Sequence, residues 1–232
     1  MKRITALISP LLIAVATGCG STSSNAEPAK GTGFTTRIDN PYWPMSPGSR
    51  WISREREGGH TYRVAVTVTN RTKTVASGVK ARVVHDLVTE RGRKVEDTYD
   101  WYAQDAPGNI WYLGEDTKAY EPGKPVSTEG SWEAGVDGAK AGIAVPAHPR
   151  VGMDYSQEYY KGHAEDRGRV LSLNARATVP FGSFRHLLKT RDYTRLEPDA
   201  TEHKFYARGV GPVLALALHG GGREELVSFR RG

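Results

Sequence analysis

The chain has 232 residues, 38% of them apolar and 25% charged, which suits one large domain or two small ones with a buried core. Its formal charge of +6 falls to +4 once Lys2 and Arg3 are set aside with a leader segment. The other lysines and arginines are scattered, with no basic arm and no nucleic-acid motif, so no nucleic acid is expected as partner. A mild positive surplus suits an anionic lipid surface better.

Met1-Lys2-Arg3 is a positive start, and Ile4 to Ala16 is an apolar run interrupted by Ser9 and Pro10. This is the pattern of a secretory signal over residues 1–18, too short for a comfortable membrane span. Cys19 follows and is the only cysteine, so no intramolecular disulfide can form. The run Ala16-Thr17-Gly18-Cys19 resembles the bacterial lipobox, with Ala16 where Leu is commoner. That resemblance implies diacylglycerol attached to the Cys19 thiol, further acylation such as palmitate, and cleavage before it. The expected partner is therefore the cell membrane, on its extracytoplasmic face, through an N-terminal lipid. Residues 19–33 then form a polar tether too poor in apolar residues to fold. A single β-rich domain is expected over residues 34–232.

Order is expected to begin with Phe34 to Trp51, where three prolines and two tryptophans suggest an extended lead-in laying rings across one end of the core. Period-2 alternation marks strands at His60–Thr69 and Val79–Val88. A turn at Glu90–Arg93 links the latter to Lys94–Ala103 as a hairpin. Asp105–Asn109 has turn chemistry, because Pro fixes φ, Gly allows positive φ, and Asp and Asn bond their own backbone. Ile110–Leu113 is the return strand. A short strand follows at Gly130–Glu133, and Gly135 to Gly142 reads as a loop. Asp154–Gly162, Arg169–Thr178, Ser183–Tyr193, Thr201–Ala207, Pro212–Leu218 and Glu224–Phe229 complete the set. No window after the leader gives a capped helical stripe, so the expected class is all-β.

The strings IDNPYWPMSPGSRW, EDTYDWYAQD, GNIWY, GSWEAGVDGA and VGMDYSQEYY resemble a family of uncharacterised exported actinobacterial proteins, which implies export but no activity. The C-terminal run VPFGSFRHLLKTRDYTRLEPDATEHKFYARGVGPVLAL is similar to a pattern in periplasmic lipoproteins. That resemblance implies a curved antiparallel sheet, the LolA-like half-barrel, with a concave face for an apolar or amphipathic ligand. A closed barrel or a sandwich are the alternatives.

Glu96 to Gly142 carries ten carboxylates, three of the five tryptophans and four of the eleven tyrosines. On the expected strand Lys94–Ala103, Asp97, Tyr99 and Trp101 share one face, where an aspartate must be paired or remain solvated. Arg82, Arg169 and Arg176 are candidate partners for it. Asp97, Tyr99, Trp101, Trp111 and Trp132 are therefore the candidate binding residues, with the Trp132–Gly142 segment placed to close over them. A structural Asp–Arg bridge explains the same letters. The sequence has no G-x-S-x-G elbow and no zinc-type histidine spacing, so no catalytic residue, metal or cofactor is expected. The densest local donor set, His163-Ala164-Glu165-Asp166, reads as a solvated turn. The expected function is a non-catalytic, lipid-anchored envelope protein that binds a ligand or an envelope partner. A carbohydrate-active enzyme using the central acids, and a purely structural envelope protein, are the alternatives.

Overall fold

The computed structural model describes residues 33–121 and 123–232. The signal-like segment, Cys19 and residues 19–32 of the expected tether lie outside the described residues. Sixteen strands and no helix occur among the described residues. The first six are β1 (Phe34–Thr35), β2 (Arg50–Glu57), β3 (His60–Thr74), β4 (Lys80–Glu90), β5 (Arg93–Asp105) and β6 (Ile110–Glu121). Then come β7 (Lys124–Ser127), β8 (Trp132–Glu133), β9 (Lys140–Val145), β10 (Asp154–Ser156) and β11 (Glu158–Tyr159). The chain ends with β12 (Asp166–Val179), β13 (Gly182–Thr194), β14 (Glu202–Ala207), β15 (Gly211–Ala217) and β16 (Arg223–Arg230).

All strand pairings are antiparallel, and the main path is β10-β12-β13-β14-β15-β16-β2-β3-β4-β5-β6-β9-β11, with β1 paired to β5 and β7 and β8 to β6 beside it. The all-β class holds, and the curved sheet goes almost full circle. Its two ends are consecutive in sequence, separated only by Gln157. Tyr155 pairs with Gly168 of β12, while Glu158 pairs with Ala141 of β9. One short segment thus touches both edges of the sheet, and the barrel has its seam there. Closure matters because an open edge would leave a row of unpaired backbone groups.

The Phe34–Trp51 lead-in fills one end, in line with its rings. Ile38, Tyr42, Trp43 and Met45 are buried. Trp43 lies 5.4 Å from the Tyr102 ring on β5 and 6.4 Å from Tyr206 on β14, two strands far apart in the sheet order. The side chain of Gln104 fixes the lead-in by accepting from the backbone N–H of both Asp39 and Asn40, at 2.9 Å each.

Four strand expectations need correction. The expected strand Asp154–Gly162 divides into β10 and β11 around Gln157, with Gly162 in a turn. The Phe34–Trp51 lead-in is expected to be extended up to Trp51, yet Arg50–Glu57 is the full strand β2, whose buried positions are Trp51, Ser53 and Glu55. Two of these three are polar, so the hydrophobic alternation is silent. The strand at Ile110–Leu113 runs on to Glu121, through acids that do not read as strand formers. Part of the expected Gly135–Gly142 loop belongs to β9.

The β5–β6 ladder contains the decisive irregularity. Tyr102 pairs with Tyr112 and Asp100 with Glu115, so two residues of β6 face one of β5. This is a bulge at Leu113-Gly114, and it turns both Tyr112 and Glu115 to the same side of the sheet. Gly114 has φ +125°, and a Cβ there would lie 2.2 Å from the Trp132 carbonyl oxygen. Gly114→Ala combines a disfavoured backbone with a backbone clash, and is expected to lower stability by about 2–4 kcal/mol in urea unfolding.

Candidate functional site

Asp97, Tyr99 and Trp101 do share one face of β5, but it is the face opposite Thr98, Asp100 and Tyr102, which point into the barrel. Asp97 is paired by His85 Nε2 at 2.7 Å and by Lys94, not by any of the three expected arginines. Burial pushes its carboxyl up, yet hydrogen bonds from Lys94 and His85 outweigh this and hold it below the usual range. Arg82 donates instead to the backbone carbonyls of Thr36, Thr69 and Arg71. The Tyr99 ring is sandwiched by cationic and aromatic neighbours: His85 stacks on it at 4.5 Å, and Arg71 lies 5.2 Å from its centroid. Lys73 covers Trp101 at 3.5 Å and bridges to Glu133 at 2.8 Å.

The other two candidates lie elsewhere. Trp111 sits at the β5–β6 turn, its indole N–H donating to Asp105 at 2.8 Å and its ring edge-on to Phe34. Trp132 is buried on β8 and meets the Tyr112 ring edge-on at 5.3 Å. The structure therefore groups Asp97, Tyr99 and Trp101, and separates Trp111 and Trp132 from them.

Strand alternation brings a different set together inside the barrel. Asp86 on β4, Asp100 on β5 and Glu115 on β6 are all buried. Glu158 from the seam is 0% exposed, and Glu55 and Glu224 pair directly across β2 and β16. Asp166, Asp192 and Glu202 continue the belt on β12, β13 and β14. Lys204 enters it: its Nζ lies 3.1 Å from Asp192 and 3.0 Å from Glu202. Tyr112 donates to Asp100 at 2.9 Å, and Thr190 and Gln157 donate to Asp192.

The belt is only partly satisfied. Glu55 Oε2, Asp86 Oδ1, Glu115 Oε1 and both oxygens of Glu158 are buried without a hydrogen-bond partner. The Trp132 N–H falls outside hydrogen-bond geometry, though it is near enough to ease the ionisation of Glu158 a little. Desolvation is the main cause of the shifts that follow. It raises Glu55 to about 9, with Glu224 adding repulsion, and Glu224 to about 8, with Asp86 adding repulsion. It raises Asp86 to about 7, and Asp166 to about 7 against the pull of Lys204. Asp100, Glu115 and Glu158 are pushed well up for the same reason, each with acidic neighbours adding to it. For Lys204 burial opposes the charge, but Glu202 and Asp192 outweigh it and hold the ammonium protonated.

Cavities adjoin these groups. One of about 10 Å³ lies under Trp43 and Trp51. One of about 40 Å³ is lined by Tyr112, Asp166, Asp192 and Lys204 among others. One of about 80 Å³ is lined by Glu55, Glu57, Glu202, Glu224, Arg223 and His219 among others. These volumes suit waters or a small polar molecule, against roughly 300–1,000 Å³ for a drug-sized ligand. No group of three or more His, Cys, Asp or Glu among the described residues has the geometry to hold a metal ion.

No family model matches the chain, and no curated protein matches it significantly in sequence. Among solved structures it is similar to a candidate exported protein with a YmcC-like fold from Bacteroides fragilis. That match has 12% identity and a TM-score of 0.48, and covers 82% of this chain and 99% of that one. It is also similar to a candidate lipoprotein from Parabacteroides distasonis, with 12% identity, a TM-score of 0.44, and 82% and 98% covered.

The acid belt sets a pH dependence. Glu55, Glu224, Asp86 and Asp166 hold protons in the folded barrel that the unfolded chain releases above its ordinary carboxylate range. Folding therefore takes up protons. Stability from this source is complete below pH about 4 and is lost as pH rises through about 7 to 9. At about 1.4 kcal/mol per pH unit for each group and 2–4 °C per kcal/mol for a domain of this size, the four groups together are expected to lower the midpoint by more than about 10 °C from pH 5.5 to 9. Thermal melts monitored by circular dichroism across that range check it.

Proposed function

We propose that this chain is an exported lipoprotein, anchored through Cys19 to the extracytoplasmic face of the cell membrane, whose barrel is a non-catalytic binding module. The Ala16-Thr17-Gly18-Cys19 run after an apolar leader carries the anchoring. Several acyl chains on one residue give lasting attachment, since each buried methylene adds about 0.8 kcal/mol. The binding role rests on the barrel interior. A closed barrel needs no acid belt for stability, because burying carboxylates without partners is costly. Groups retained at such a cost are best explained by a use.

The cavity sizes and linings favour a small polar ligand over the apolar or amphipathic ligand that the half-barrel resemblance implies. The carbohydrate-active alternative draws less support. Asp100 and Glu115 are buried, and Asp97 and Glu133 are held by cations.

Intact mass spectrometry of membrane-extracted protein is expected to show a diacylglycerol-bearing Cys19. Cys19→Ser is expected to lose that mass and to move the protein from the membrane to the soluble fraction. Unchanged membrane retention of the Cys19→Ser protein would sink the anchoring.

A further inference from the structure

We propose that the end of the barrel bounded by β2, β14 and β16 is a binding site for a small organic cation, an ammonium or guanidinium compound. The proposal deepens the binding role above and rests on it.

The cavity of about 80 Å³ at this end is lined by Glu55 and Glu57 of β2, Glu202 of β14 and Glu224 of β16, with Asp199 at its rim. Two of these acids, Glu55 and Glu224, are direct cross-strand partners. Ionised together in that position they would repel, so the pair gives up its protons only when something positive comes between them. Glu55 is 5% exposed, lines the cavity, and has an Oε2 with no hydrogen-bond partner. A buried, unpartnered carboxylate oxygen at a cavity is an acceptor set up for a donor from outside the chain.

The chain shows the same chemistry with its own side chain on β14, one of the bounding strands. Lys204 seats an ammonium between Asp192 and Glu202, and Glu202 also lines the cavity. The site is thus continuous with a place where two interior carboxylates already hold a cation. The class of cation follows from size and geometry. No metal-holding cluster occurs among the described residues, and the volume exceeds that of a bare ion. An ammonium or guanidinium brings several N–H donors that can serve acids arriving from different strands.

The other charged groups facing the cavity are Arg223 and His219. Arg223 is held by Glu225 at 2.9 Å, and His219 lies at the exposed rim. Tyr62 of β3, opposite Glu55, Asp86 of β4 and Lys204 of β14 are further titratable neighbours: Asp86 raises both Glu55 and Glu224, and Lys204 eases the ionisation of Glu224. With Glu55 raised to about 9 and Glu224 to about 8, both keep protons at neutral pH, and a bound cation would displace them. Binding should therefore release protons.

The test is isothermal titration calorimetry of the full chain in detergent near neutral pH, in two buffers of different ionisation enthalpy. The probes are 1,4-diaminobutane, guanidinium and calcium. The expected result is saturable binding of one of the organic cations with release of about one to two protons. Glu55→Gln and Glu224→Gln should each weaken it about tenfold or more, and Glu225→Gln, on the outer side of the same strand, by less than about twofold. Glu55→Gln removes a buried acid and should melt no lower than the parent, so its loss of binding is not a loss of fold. Absence of organic-cation binding, binding of calcium alone, or equal weakening by Glu225→Gln would overturn the proposal. A native mass spectrum that holds a neutral or anionic molecule instead would overturn the cationic class and leave the binding role standing.

Discussion

The desolvation of carboxylates inside a nearly closed barrel is the constraint around which this structure is arranged. Removing water from an ionised carboxylate is expensive, so each interior acid must be protonated, hydrogen-bonded or matched by a cation. All three solutions occur around one belt. Glu55, Asp86 and Glu224 keep protons, Asp100 accepts from Tyr112, and Asp192 and Glu202 share Lys204. The interior is consequently a titrating layer as much as a core. The ordinary apolar core lies around it, in residues such as Val64, Val68, Leu187, Leu188 and Leu226.

The geometry that concentrates these acids comes from two departures from regular sheet. The bulge at Leu113-Gly114 rotates Glu115 inward, beside Asp100. The seam brings Glu158 in from the chain segment that joins the two sheet edges. Without the bulge, period-2 alternation from Tyr112 would put Gly114 and Asp116 inside and leave Glu115 outside. Without the seam, Glu158 would lie in a surface loop. Its burial is therefore a consequence of closure and not of anything in its immediate sequence.

The outer face uses the opposite strategy. Asp97, Tyr99, Trp101 and Glu133 are all covered by basic side chains, through Lys94, Arg71 and Lys73 and the imidazole of His85. Cation–π contacts and exposed ion pairs there contribute modestly, typically under about 1 kcal/mol each. The scattering of basic residues noted along the chain is thus put to use around the barrel. The outside satisfies its acids locally, while the inside leaves some carboxylate oxygens unmatched.

The class of fold was legible because turn chemistry and period-2 alternation are local. The β3, β4 and β5 strands, the Asp105–Asn109 turn and the C-terminal hairpins all follow from residues next to one another in sequence. The pairing of Asp97, Tyr99 and Trp101 on one face was legible for the same reason. What could not be read was which face points inward. Alternation gives two faces and does not label them when both carry acids and rings, and on β5 the inner one is Thr98, Asp100 and Tyr102. β2 was missed because its buried positions include Ser53 and Glu55, which hydrophobicity counts as outside. The sequence by itself determined the all-β class, because its turns and alternation are local. Tertiary structure alone decided that acids distant in sequence, such as Glu55 and Glu224, meet across a ladder in a desolvated interior. Burial, which makes those acids chemically distinctive, is a property of the closed sheet and of no segment alone.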